Sequence, residues 1–232
     1  MLDGRRILVT GASSGIGRGL SEVYAAAGAT VWGVGRDPDR LDETARACPD
    51  GAFIAVRADL TAPDGPKTVF DSLDGSPLDV VVHAAGLLGP ANTTLADYPD
   101  DAWEQVFAVN LTAVQHLHRA VLPALDSGRR PAVIALSSTV GREARAGWGA
   151  YAISKHALEA WVATLALEWS GRAYSVNPGA TRTPMRAAAA PGEDPMTLPT
   201  PQDISPVFLR LARSDADEPS GGRYDARDHL DG

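Results

Sequence analysis

Arg6-Ile7-Leu8-Val9-Thr10-Gly11-Ala12-Ser13-Ser14-Gly15-Ile16-Gly17 is a strand, a glycine-rich turn and a helix start in unbroken succession. Ile7-Leu8-Val9 is continuously apolar, which reads as a strand buried on both faces, and the helix continues through Leu20, Val23 and Tyr24. Gly11 permits a tight turn, Gly15 lets the backbone approach a pyrophosphate, and Gly17 lets the helix pack close to the sheet. The first N–H groups of that helix face the anion. Lying between the first strand and the first helix, the turn, with Ser13, Ser14 and Ile16 in its loop, points to a dinucleotide site.

Outward from this unit, short β-rich runs at 6–10, 30–34, 52–57, 78–83, 132–137 and 174–177 alternate with longer helical patterns. Val80-Val81-Val82 and Val133-Ile134-Ala135-Leu136 are as unbroken as the first strand. That predicts an α/β protein, one doubly wound domain over 1–232 with a parallel sheet and helices on both faces. Gly28 ends the first helix, and Asp37-Pro38 offers an N-cap and a proline at the first position of the second. The stretch 178–201, with Pro184, Pro191, Pro195 and Pro199, is too long for a simple connection. It is expected to form an active-site lid, a plain surface loop being the alternative.

The 232 residues are 44% hydrophobic and 22% charged, ordinary for a globular chain. A net charge of −8 argues against binding nucleic acid through its phosphates. One cysteine, Cys48, excludes an intramolecular disulfide and a multi-cysteine metal cage, and no metal is expected. No apolar signal core precedes Ile7, and the charge-poor stretch 80–96 is broken by His83, Gly86, Gly89, Pro90 and Asn92. A cytoplasmic protein with no membrane partner is predicted.

Gly35 and Arg36 close the second strand, where an NAD site places a carboxylate for the ribose 2′-OH. A guanidinium there can bind a 2′-phosphate, with the Ser13 hydroxyl beside it. The pair favours NADP(H). NAD(H) stays open should Arg36 be a solvated charge and Asp37 take the ribose.

Tyr151 and Lys155 stand four apart at the start of a helix, hence on one face. The ammonium is expected to favour tyrosinate, drawing the phenol down from about 10 as an acid/base residue requires. Lys155 is one of only two lysines, with Lys67, in a chain that otherwise uses arginine. Thirteen residues before Tyr151, Ser138 ends a strand at the carboxyl edge of the sheet, where its hydroxyl can hold a substrate oxygen. Arg142, Arg145 and Trp148 lie between the two and are expected to border the pocket, taking an anionic or aromatic substrate. Solvated arginines and a packed tryptophan are the alternative.

With the glycine turn, Ser138, Tyr151 and Lys155 in this order, the chain resembles the short-chain dehydrogenase/reductase family over nearly its whole length. Its 178–226 stretch is similar to that of a bacterial subgroup of poorly defined substrate. The resemblance implies a Rossmann-type domain in which Asp59-Leu60 contacts adenine and Ala84-Ala85-Gly86 lines the cofactor. It completes a catalytic tetrad with Asn110, a helix-kinking residue holding a relay water. It also implies that Pro178, Gly179 and Thr183 border the nicotinamide. His83, where the family has asparagine, Tyr174 and the loosely matching C-terminus are departures. The implied activity is NADP(H)-dependent interconversion of a small-molecule carbonyl and its alcohol. A catalytically silent NADP-binding sensor or scaffold is the competing class. The Trp161, Leu165 and Trp169 face of the Tyr151 helix predicts a homodimer or homotetramer.

Overall fold

The computed structural model describes residues 1–230. Seven strands, β1 (Arg6–Thr10), β2 (Thr30–Gly35), β3 (Phe53–Arg57), β4 (Val80–His83), β5 (Ala132–Leu136), β6 (Arg172–Asn177) and β7 (Arg223–Asp225), form one sheet. All its pairs are parallel, in the order β3-β2-β1-β4-β5-β6-β7. Between them run α1 (Gly15–Ala26), α2 (Pro38–Ala47), α3 (Gly65–Ser72), α4 (Asp100–Phe107), α5 (Ala113–Asp126), α6 (Gly149–Glu168), α7 (Pro184–Ala189) and α8 (Ser205–Ala212). No helix among the described residues is long and apolar enough to cross a membrane.

The unbroken apolar strands follow from the pleat, which sends successive residues to opposite faces. Ile7, Val9, Val82 and Ile134 join Leu20, Tyr24, Leu41, Cys48, Phe208 and Leu211 in one core. Leu8, Val81 and Val133 join Val69, Leu117, Val121, Leu158 and Val162 in the other. Asp37 caps α2, its carboxylate accepting from the Arg40 N–H at 3.2 Å.

Two strand expectations are corrected, and the 178–201 stretch takes a defined form. The run at 52–57 is not buried on both faces: β3 is the outermost strand, with β2 as its only neighbour, and Ile54, Ala55 and Arg57 are exposed. The sixth strand begins at Arg172, two residues earlier than read, with its guanidinium donating to the carbonyls of Arg130 (2.8 Å), Arg213 (3.2 Å) and Ala216 (3.3 Å). The 178–201 stretch is more ordered than a loop. Thr183 caps α7 through the Arg186 N–H at 3.1 Å, and Arg182 binds the carbonyls of Pro195 and Leu198 at 2.9 and 3.0 Å.

Candidate active site

β1 sends its chain to β2 on one side while β4 flanks it on the other, so the connections diverge at their carboxyl ends. A cleft of about 580 Å³ opens there. Gly11, Ser13, Ser14, Gly15, Ile16 and Gly17 form one wall, Arg36, Asp59 and Leu60 the rim, Ala84, Ala85 and Gly86 the floor. Tyr151, Lys155, Pro178 and Thr183 line the opposite end.

The turn is built as its glycines require. Gly11 and Gly15 have φ of +70° and +54°, a region L-residues avoid. A Cβ on Gly11 would lie 2.9 Å from the Ala85 Cα, and one on Gly17 only 2.3 Å from the Gly11 carbonyl oxygen. Thr10, which has no role in the motif reading, holds the floor. Its Oγ1 accepts from the N–H groups of Ala84 and Ala85, each at 3.0 Å. At Gly35 a Cβ would meet Ser13 Cβ and Oγ at 3.2 Å, so the glycine makes room for the serine. Arg36 is exposed at the rim beside Asp59, whose carboxylate is held below its ordinary range by hydrogen bonds from the Thr61 side chain and backbone. Asp37 is occupied with the α2 cap and Arg40.

At the other end, Lys155 is 4% exposed and donates to the Leu136 carbonyl at 2.7 Å. Its Nζ stands 5.8 Å from the centre of the Tyr151 ring. Burial lowers the ammonium to about 8 against the opposing charge of Glu159. Tyr151 is raised above its ordinary value by burial, which outweighs a hydrogen bond with Ser138. The expected lowering by the lysine is therefore absent from this structure, because the ammonium is bound to a carbonyl rather than to the phenol. Asn110 lies in a π-helical turn, Ala108–Thr112, between α4 and α5. Its amide clasps the Leu87 backbone, accepting from the N–H at 2.8 Å and donating to the carbonyl at 3.0 Å, and donates to Ser154 Oγ at 3.0 Å. A Cβ on Gly86 would lie 3.6 Å from Asn110 Oδ1 and 3.9 Å from Lys155 Nζ, so these groups meet at one point.

Three residues are placed otherwise than read. Gly179 faces the Arg227 side chain, its Cβ position 3.0 Å from Cγ, and, like Ser138 and Asn110, is not among the residues that line the cleft. Arg142 turns away too, donating to Glu159 at 2.8 Å and Asp225 at 2.7 Å. Arg145 is an exposed residue 3.5 Å from Glu143. His83 is buried at the end of β4, edge-on to Trp161 at 5.8 Å, and burial lowers it to about 3. Ser154, Thr10 and Glu159 escaped the sequence reading because their partners are distant in the chain.

A model of the short chain dehydrogenases matches residues 5–194. YciK, an uncharacterized oxidoreductase of Escherichia coli K12, is 39% identical over 236 residues, 98% of this chain and 93% of its own. A Shigella flexneri 2a structure described as a short chain dehydrogenase and complexed with NADP superposes with a TM-score of 0.91 at 37% identity, covering 97% of this chain and 98% of that one. A similarly described protein of Escherichia coli CFT073, complexed with NADPH, gives 0.91 at 37% identity over 97% of each chain. Sheet order, glycine turn and these matches agree, and the chain belongs to the short chain dehydrogenase family.

Proposed function

We propose that this protein is an NADP(H)-dependent oxidoreductase that interconverts a carbonyl and an alcohol in the cleft at the β1/β4 edge, with Tyr151 as its acid/base. One observation carries the reading. A glycine cradle that side chains would fill and an exposed Arg36 stand at one end of a single cleft, with Tyr151 and a buried ammonium at the other. The residues fit an NADP(H) nucleotide. Gly11, Gly15 and Gly17 leave room for a pyrophosphate against the start of α1, Arg36 and Ser13 suit a 2′-phosphate, and Asp59-Leu60 border the adenine. Asp37, the carboxylate that would suit NAD(H), is held in the α2 cap. The relatives crystallised with NADP and NADPH support the same choice.

In reduction the nucleotide supplies a hydride to the carbonyl carbon, NADPH being oxidised to NADP⁺. Tyr151, held protonated by its raised pKa, gives its proton to the carbonyl oxygen, so a C–H and an O–H bond form as the C=O π bond breaks. Ser138 lies beside the phenol, whose pKa it acts to lower, and would share the substrate oxygen. Lys155 spends one N–H on Leu136 and presents the others to the cleft, where Pro178 and Thr183 close the nicotinamide end. Asn110 fixes the floor at Leu87, and a water held at its π-helical turn would carry the proton that refills the phenol. The α6 face expected to pair subunits turns inward instead, Leu165 lying in the core with Trp161 and Trp169 packed against it, so it lends no support to a homodimer or homotetramer. A silent sensor has no need of an ammonium buried at a stability cost beside a phenol. Fluorescence titration with NADPH and NADH, then a carbonyl panel, tests the assignment. Tyr151→Phe should keep NADPH affinity and lose about a thousandfold in turnover, and an active phenylalanine variant would end it.

A further inference from the structure

The two ends of the cleft differ in chemistry. The turn end offers Ser13, Arg36 and Asp59, whereas Tyr151 sits in an apolar group, of which Met185 lines the cleft with it. Val140 and Ala152 are buried beside it, and Leu88, Trp148 and Met185 pack half-buried against them. The Trp148 ring lies 5.9 Å from the Tyr151 ring, tilted by 43°.

The cations near this group already have oxygen partners. Arg142 is bound to Glu159 and Asp225, and Arg145 lies outside against Glu143. Arg186, next to Met185 in sequence, is bonded by two nitrogens to Glu193 at 2.5 and 2.8 Å. Lys155 gives one N–H to Leu136, and on the function proposed above its remaining donors serve the cofactor and the phenolate formed at Tyr151. A carboxylate or phosphate on the substrate would shed its water here with no free guanidinium to receive it, and would compete with the Tyr151 phenolate for the one ammonium, a step that is strongly unfavourable.

We propose that the substrate is an uncharged, apolar ketone or aldehyde with a ring-sized body, or the matching alcohol, and that Trp148 is the residue selecting the ring. Its oxygen meets Tyr151 and Ser138, and its ring lies against Trp148 and Met185. This deepens the oxidoreductase reading and rests on it.

Two pairs of compounds matched in size test the class: acetophenone against 4-acetylbenzoate, and 2-octanone against 7-oxooctanoate. Affinity is read by calorimetry on the Tyr151→Phe protein saturated with NADPH, and turnover by NADPH oxidation with the wild type. The neutral member of each pair should bind about a hundredfold more tightly. Trp148→Ala should lose about tenfold for acetophenone relative to 2-octanone, Trp148→Phe should restore it, and neither should change NADPH affinity. Carboxylates that bind as well as the neutral partners, no binding by any of the four, or unchanged aryl preference in Trp148→Ala would overturn the proposal. Neutral binding without turnover by the wild type would uphold the substrate class and sink the oxidoreductase reading instead.

Discussion

Truncating Arg142 to alanine tests whether this arginine is a structural clamp. Four residues past Ser138, it joins three elements. Nε donates to Glu159 of α6 at 2.8 Å, Nη1 to Asp225 of β7 at 2.7 Å, and Nη2 to Ser175 Oγ of β6 at 3.3 Å and the Tyr224 carbonyl at 3.2 Å. The Arg142 and Glu159 side chains are 14% and 9% exposed, whereas Asp225 is 42% exposed. Breaking a buried pair costs about 3–5 kcal/mol and an exposed one under about 1. Glu159 keeps Ser175 at 2.8 Å and Arg223 at 3.0 Å, which pulls the estimate to the lower end. A loss of about 2–3 kcal/mol lowers Tm by about 5–10 °C for a chain of this size. Thermal unfolding by circular dichroism at neutral pH, for Arg142→Ala, Glu159→Gln and the double variant, measures both the loss and the coupling. The coupling should make the double variant less destabilised than the sum of the singles. The pH dependence has a defined sign. Burial pushes Glu159 up, but the Ser175 hydroxyl and the guanidinium of Arg142 outweigh it and leave the carboxyl below its ordinary value. Its contribution is therefore present above the unfolded carboxyl's pKa of about 4.3 and lost as pH falls through the folded value. The gap between wild type and Arg142→Ala should be full at neutral pH and close in acid. A variant melting within about 1 °C of wild type at neutral pH would show Arg142 to be a solvated charge and refute the clamp.

Two further outcomes follow from the site. Gly17→Ala gains about 1 kcal/mol of helix propensity but drives a Cβ to 2.3 Å from a backbone oxygen that cannot yield without moving the turn. The overpacking should win, weakening NADPH binding at least about tenfold, and an unchanged Kd would contradict the turn's role. Lys155→Met removes an ammonium lowered to about 8 by burial. Since the unfolded lysine titrates near 10.4, the unfolded state binds more protons between about 8 and 10, and cofactor-free stability should rise with pH across that window. The methionine variant should lose that slope, gain stability at pH 7 and lose activity. A wild-type stability curve flat over this window would refute the assignment.

The fold was legible where a local pattern reports a global position. Ile7-Leu8-Val9 and Val80-Val81-Val82 are unbroken because both faces of the sheet are covered, and Asp37-Pro38 caps within its own turn. Legibility ended where a residue's environment comes from far along the chain. Arg172 begins a buried strand only because carbonyls 41 to 44 residues away receive its guanidinium. Arg142 was read as facing the pocket, yet its partners are 17 and 83 residues distant. No periodicity could separate an arginine aimed at a substrate from one aimed at Glu159. Thr10 was visible as the end of β1, but its work, receiving the Ala84 and Ala85 N–H groups, depends on the neighbouring strand being β4.

The mismatch at Tyr151 has a different origin. Spacing of four residues brings phenol and ammonium to one face, and a sequence argument then grants them the attraction of tyrosinate for lysine. In the resting protein that attraction does not exist, because the phenol is neutral; what acts on it is burial, which raises it. Burial also makes the lysine's charge costly, and Leu136 offers it a dipole rather than an anion. On the function proposed above, the anion arrives only as Tyr151 gives up its proton. A phenolate then stands near an ammonium whose Nζ is 5.8 Å from the ring centre, in a site poor in water, where a charge pair interacts more strongly than at the surface. The lysine thus contributes little to the ground state and much to the state formed along the reaction, the condition under which an interaction speeds a step instead of merely tightening binding. A pair already stabilised as tyrosinate at rest would have no proton left to donate.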